Sequence, residues 1–233
     1  MELEMDKQQI TINYTNVHLC HDDRTILDNV CLQAQSGDMI YLTGQIGSGK
    51  STLLSSMYGN TPIRKGHAII LGHDMQSVNQ STLQYLRRQI GIVHQDLRLL
   101  PDRTIYENLD FVLRATDWDN KSLRRERIEE VLSLIELPDV TKSYPHELSG
   151  GQKQCICVAR AILNDPELIL ADEPTGQLDV ESGERVMALL DEVRRQTDST
   201  VVTSTHNQLW PEIFPGTQYV CEKGELKKKI INQ

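Results

Sequence analysis

The sequence runs to 233 residues, a length that suits one domain of generous size, or one carrying an inserted lobe, better than two independent ones. Hydrophobic residues at 39% and charged residues at 24% exclude a disordered or collagen-like chain. Twenty-four Lys and Arg against thirty-three Asp and Glu leave a net charge of -9, which opposes the phosphate-backbone attraction that nucleic-acid binders rely on, so no nucleic-acid partner is expected.

Five cysteines, Cys20, Cys31, Cys155, Cys157 and Cys221, are odd in number and scattered, and read as reduced cytoplasmic thiols rather than a disulfide framework. Residues 1–9 are polar and acidic, unlike a secretory leader, and no apolar run approaches the roughly 18 residues of a membrane span. Any membrane role is therefore expected through a partner.

In chain order, residues 10–19 and 26–34 alternate and are β-branched, and the polar turn His21-Asp22-Asp23-Arg24 between them predicts an antiparallel pair. Residues 39–43 form a short apolar run ending in Gly44, and residues 50–58 read as a helix: strand, glycine loop, helix. Residues 66–71 and 90–93 are further short strands around a helical 83–88. Residues 104–114, 122–137 and 149–163 read as helices, separated by the breakers at 117–120 and 138–145. The strand signal resumes at 168–171, a helix covers 181–196, and 200–204 is another apolar strand. The alternation predicts an α/β fold with a mainly parallel sheet and a helical lobe set into it. The basic run Lys227-Lys228-Lys229 is shorter than the 4–8 residues usual for lipid binding and reads as a solvated end.

Gly44-Gln45-Ile46-Gly47-Ser48-Gly49-Lys50-Ser51-Thr52 fits the phosphate-loop pattern and stands between a strand and a helix, as that pattern requires. Glycines let successive N–H groups turn inward around β- and γ-phosphate oxygens. Lys50 neutralises charge, and the Ser51 hydroxyl can ligate Mg²⁺. Asp172 and Glu173 follow the strand at 168–171, where ligands of open α/β sheets collect. There Asp172 can hold Mg²⁺ through water while Glu173 polarises the attacking water. Leu148-Ser149-Gly150-Gly151-Gln152 has the properties of a second phosphate reader: Ser149 caps a helix, and two glycines allow close approach of an anion.

These three ordered motifs resemble the ATP-binding-cassette (ABC) family over nearly the whole chain. The resemblance implies a P-loop NTPase core with a parallel sheet, an N-terminal antiparallel β subdomain, and an inserted α-helical subdomain over about residues 96–165. It implies that Ser149, Gly150, Gly151 and Gln152 contact the γ-phosphate of ATP bound to the opposing subunit. It assigns Gln95 to the loop that senses Mg²⁺ and the membrane partner, Asp179 to the D-loop, and His206 to the switch histidine. The implied machine is a homodimer that sandwiches two Mg·ATP, closing on binding and opening on hydrolysis, coupled to a polytopic membrane subunit from the cytoplasmic side of the cell membrane.

Three positions depart from the family pattern. His21 stands where an aromatic that stacks on adenine is usual, which leaves stacking to the imidazole or to nearby Tyr14. Cys155 replaces a usual Arg, and Asn207 a usual Asp. Cys155 and Cys157, two apart on a helix, point to different faces and do not form a metal pair. Within the family, Leu86-Arg87-Arg88-Gln89-Ile90-Gly91, His94-Gln95-Asp96, and the stretch from Leu99 to Asn108 look most like the FtsE-type cell-division ATPases, which implies an FtsX-like membrane partner. The stretch from Ala171 to Asp179 is shared with the lipoprotein-releasing and macrolide-exporter types.

Leu97, Leu99, Leu100 and Tyr106 fit either a seat for a segment of the membrane subunit or ordinary packing of the helical lobe. A chromosome-handling ABC ATPase would interrupt residues 51–148 with coiled coils or zinc modules, which are absent. A GTPase would need a base-reading Asp that Asn120-Lys121-Ser122-Leu123 lacks. A regulator that binds nucleotide and barely hydrolyses it remains open, and phosphate release distinguishes it.

Overall fold

The computed structural model describes residues 9–21 and 24–229; Asp22 and Asp23 of the expected turn lie outside the described residues. Two strands, β1 (Ile10–His21) and β2 (Arg24–Gln35), pair antiparallel as expected, with Tyr14 opposite Leu32 and Val17 opposite Val30. Asn16, at φ 51°, sits where their register shifts, and the extra residue bends β1. Strands β4 (Ile63–Ile70) and β5 (His73–Asp74) complete a four-stranded antiparallel sheet in the order β2-β1-β4-β5.

The second sheet has six strands. Strands β3 (Met39–Thr43), β6 (Ile90–Val93), β7 (Leu168–Asp172), β8 (Thr200–Ser204) and β9 (Thr217–Glu222) are parallel, and β10 (Glu225–Lys228) adds an antiparallel edge, in the order β10-β9-β3-β8-β7-β6. Its central strands separate two cores. Met39, Tyr41, Ile169, Ala171 and Val201 face one core, and Ile40, Leu42, Leu168, Leu170 and Val202 face the other. A strand covered on both faces must be apolar at every position, which is why these runs lack polar alternation.

Helix α1 (Lys50–Met57) and helix α2 (Gln80–Arg88) lie on the side of the four-stranded sheet. Between β6 and β7 the described chain holds only helices: α3 (Ile105–Ala115), α4 (Lys121–Leu134), two 3₁₀ turns at Pro138–Lys142 and Pro145–Glu147, and α5 (Gly150–Ile162). These share their core with α6 (Val180–Thr197) and with Trp210 of the short α7 (Trp210–Ile213). The helix expected to reach residue 137 stops at Leu134. Ile135 is its cap, Glu136 takes φ 58°, and Pro138 opens the next turn, because the residue before proline is driven out of helical conformation.

Strands β9 and β10 were not expected; within β10, Lys227 and Lys228 stay exposed, in keeping with the reading of this basic run as solvated. Both are edge-strand residues, and Lys229 N–H donates to Gln218 O at 2.8 Å. Charged edge positions discourage pairing with another chain.

Candidate functional site

Three adjacent strands, β3, β8 and β7, end side by side, with Leu42 opposite Ser204 and Ser204 opposite Asp172. Each delivers one part of the site from its carboxyl end. From β3 comes the glycine loop. Gly44 takes φ 136°, and a Cβ there would meet Cys221 O at 2.4 Å; Gly49 takes φ 103°. Neither position tolerates a side chain. Gly49 caps α1 without a side-chain hydrogen bond, whereas α2, α3, α4, α5 and α6 are each capped by a side chain: Asn79, Thr104, Asn120, Ser149 and Asp179. The first N–H groups of α1 are thus left to an anion, which the helix dipole favours.

Lys50 is 6% exposed. Its Nζ donates to Gly44 O at 3.0 Å and Gln45 O at 3.2 Å and lies 3.6 Å from Glu173 Oε1. The cation is held inside its own loop, facing the carboxylate across the cradle.

From β7 come Asp172 and Glu173. Asp172 Oδ1 accepts from Ser51 Oγ at 3.0 Å and from Ser204 Oγ at 2.6 Å. Glu173 takes φ 47°, an uncommon conformation for a residue with a side chain, and its N–H donates to Ser204 Oγ at 2.9 Å. From β8 comes His206, whose Nδ1 is 2.9 Å from Glu173 Oε2. Lys50, Ser51, Asp172, Glu173 and His206 therefore share one cluster. The unforeseen member is Ser204, which touches both carboxylate residues. Its signal in the sequence was a hydroxyl ending the strand that runs to His206.

Gln95 lies exposed two residues past β6, whose last residue Val93 is paired with Ala171 of β7. Ser149, exposed, caps α5 in a reciprocal box: Gln152 N–H donates to Ser149 Oγ at 3.2 Å, and Ser149 N–H to Gln152 Oε1 at 2.9 Å. Gly151 comes close to Ser182 of α6. Asp179 caps α6 by accepting from Ser182 N–H at 2.9 Å, and that bond holds its carboxyl below the usual carboxylate range.

The glycine loop and the Ser149 turn line different cavities. Gly44, Gln45, Ile46, Gly47 and Ser48 line a cavity of about 820 Å³ together with residues 24–26 and 220–224. Ser149, Gly151 and Gln152 line a separate one of about 80 Å³ with Cys155, Ser182 and Arg185.

His21 ends β1 opposite Arg24, exposed, close in sequence to the residues at the mouth of the larger cavity. Tyr14 is not available for stacking. It is 2% exposed, its hydroxyl is 3.0 Å from Ser56 Oγ, and burial raises its pKa well above the usual phenol value. Tyr14 is a core residue, which corrects its place as an alternative base-stacking group. Leu97, Leu99 and Tyr106 pack against the helical core, which favours the packing reading of that cluster. Leu100 instead lines a groove of about 370 Å³ with Arg87, Arg98, Phe111 and Arg160.

Residues 27–176 match the ABC transporter family model. The chain is 38% identical over 183 residues to the cell division ATP-binding protein FtsE of Streptococcus pneumoniae, covering 78% of this chain and 79% of that protein. It is 39% identical over 202 residues to the methionine import ATP-binding protein MetN of Corynebacterium glutamicum, covering 87% of this chain and 56% of that one. The cassette MJ0796, solved as a dimer in a post-hydrolysis state with ADP and Pi, superimposes with a TM-score of 0.83 at 30% identity, over 95% of this chain and 99% of that one. With the glycine loop, the paired carboxylates and the Ser149 turn all in place on this fold, the chain belongs to the ABC transporter family and is one of its ATP-hydrolysing cassettes.

Proposed function

We propose that two copies of the chain clasp two ATP molecules between them, each held by one copy's residues 44–52 and the other copy's Ser149, Gly150, Gly151 and Gln152. The observation that carries this reading is that the two anion cradles line different cavities of one chain, as a site shared between two copies requires. The solved dimer of MJ0796 supports it.

In this reading the N–H groups at the start of α1 bind the β- and γ-phosphates, and Lys50 leaves the carbonyls of Gly44 and Gln45 to neutralise their charge. Glu173 accepts a hydrogen bond from the attacking water and orients it, with its carboxylate placed by His206 and its backbone by Ser204. Asp179 contributes at the closing surface, and His21 contacts the base. The donor set fits Mg²⁺: Ser51 Oγ, Asp172 and Gln95 offer hard oxygens, and the ion prefers a few such ligands plus phosphate. When bound, it would offset the charge on the phosphate oxygens. Residues 96–165 form the arm that carries the Ser149 turn.

The partner and cellular role follow the motif resemblance and the FtsE relatives: a polytopic, FtsX-like membrane subunit, with the cassette on the cytoplasmic face, acting in cell division and control of wall hydrolases. Among the described residues no helix is long and apolar enough to cross a membrane, so anchoring falls to that subunit. The groove between β6, α3 and α5, with Phe111 at 46% exposure on its rim, is its proposed seat.

Glu173→Gln tests the reading. It should bind ATP, release phosphate at least about a hundredfold more slowly, and accumulate a nucleotide-dependent dimer on size exclusion. That trapped dimer should copurify with a polytopic membrane protein, and Phe111→Asp should abolish copurification. Rapid turnover by the Gln variant would remove Glu173 from its role, and unchanged copurification by the Asp variant would remove the groove.

A further inference from the structure

The cavity of about 820 Å³ that begins at the glycine loop has two further walls. One is the start of β2, with Arg24, Thr25 and Ile26; the other is the turn between β9 and β10, with Glu222, Lys223 and Gly224. Asp28 N–H donates to Gly224 O at 2.6 Å and ties the walls together. Among the described residues that line the cavity there is no Phe, Tyr or Trp.

Three consecutive residues of a regular strand cannot all face one side, because side chains alternate. Here the strand is bulged. Leu19 stands opposite Leu27 and Cys20 opposite Thr25, so β2 carries an extra residue at 26, and a bulge re-aims the side chains beside it. Exposed Arg24 and half-buried Ile26 are thereby both brought to the cavity.

Phosphates bound at the start of α1 fill the loop end of the cavity, so the base of the same nucleotide lies between the other two walls. To a flat π-surface, the β2 wall offers an apolar side chain and a planar cation. Guanidinium planes stack on bases, and the attraction is strongest over the ring face. Among the described residues no carboxylate is within ion-pair reach of the Arg24 guanidinium, which leaves it available. His21 is directly opposite Arg24 across the strand pair, so its imidazole stands beside the same platform. Such a platform engages the π-face that every base has and reads no pattern of donors and acceptors. Glu222 on the facing wall can accept from the exocyclic amine of adenine or of guanine alike.

We propose that the Arg24 guanidinium is the surface on which the nucleotide base rests, and that the chain therefore binds and hydrolyses GTP as well as ATP. The inference rests on the reading of residues 44–52 as the phosphate cradle. The reaction is the same for both nucleotides. The water oxygen bonds to the γ-phosphorus, the bond from that phosphorus to the β–γ bridging oxygen breaks, and the nucleoside diphosphate leaves; one water proton stays on the released phosphate and the other passes to solvent.

Displacement of a ribose-labelled fluorescent ATP from the full chain by ATP, GTP and inorganic tripolyphosphate tests it. ATP and GTP should bind within about tenfold of one another, and their kcat/KM values should agree within the same factor. Arg24→Ala should weaken both nucleotides at least about fivefold while tripolyphosphate, which has no base, changes less than about twofold. Arg24→Tyr, which supplies a ring, should restore both nucleotides. Arg24→Lys keeps the charge without the plane and should behave like the Ala variant.

A preference of the unaltered chain for ATP above about tenfold overturns the proposal without any variant having to fold. Unchanged nucleotide affinity in Arg24→Ala overturns it as well. Full recovery by Lys, with tripolyphosphate weakened by Ala, would make Arg24 a phosphate contact and overturn the platform. Lys50→Ala should weaken all three ligands; if it weakens none, the phosphate cradle itself is misassigned, a failure distinct from that of the base platform.

Discussion

Ser204 shows how one hydroxyl can hold two neighbouring acidic residues, one by its carboxylate and the other by its backbone. It donates to Asp172 Oδ1 and accepts the N–H of Glu173, a residue whose φ of 47° costs on the order of 1–3 kcal/mol and persists only when its surroundings fix it. Ser204→Ala removes one donor from Asp172 and one acceptor from Glu173, although Ser204 O still receives the Glu173 N–H at 3.2 Å. The expected cost is about 1–2 kcal/mol, seen as a roughly tenfold fall in kcat with a smaller change in KM. Phosphate release at saturating ATP measures it, and an unchanged kcat would reduce Ser204 to a bystander. Tyr14 gives the opposite lesson. Its ring lies near the expected base-binding position in sequence, yet alternation along β1 turns it into the core.

At the scale of elements, the helix starts were legible because capping is local chemistry. Thr104, Ser149 and Asp179 each stand at an expected or near-expected start, and each accepts an N–H three residues on. The β9–β10 hairpin was missed although its signal is equally local: Lys223 and Gly224 both take positive φ, at 51° and 81°, as a two-residue hairpin turn requires.

Helix α6 carries a buried charge that the sequence reading passed over. Asp191 is 4% exposed. Burial alone would raise its pKa, but hydrogen bonds from Arg195 and Arg194 prevail and hold it below the usual carboxylate range. A carboxylate depressed in the folded state contributes stability that is present above its unfolded pKa, near 3.9, and lost as pH falls through the folded value. Asp191→Asn should lower stability by about 1–3 kcal/mol at pH 7, since both guanidiniums remain partly exposed, and should flatten the fall in Tm below about pH 4. A variant whose Tm follows the wild-type pH profile would contradict this.

For the whole molecule, the decisive feature is how the two anion cradles are placed. Glycine loop, Asp172, Glu173 and His206 gather at three strand ends, while the Ser149 turn opens elsewhere. Mixing makes this measurable. Lys50→Ala and Ser149→Ala chains should each hydrolyse ATP at under about a tenth of the wild-type rate, yet their mixture should regain activity, because one mixed pair holds one intact shared site. A mixture no faster than its components would argue for sites completed within a single chain.

The sequence by itself determined the order of the main strands and helices as far as β8, the cradle from Gly44 to Lys50, the neighbouring carboxylates and the capping turn at Ser149, since each is set by residues within a few positions of one another. Only the tertiary structure decided that Ser204 bridges Asp172 and Glu173, that Tyr14 is buried, and that Arg160 holds the loop after Gln95. Those contacts join residues 31 to 63 positions apart, or depend on which face of a strand meets a core, and such pairings exist only once the sheet order brings distant segments together.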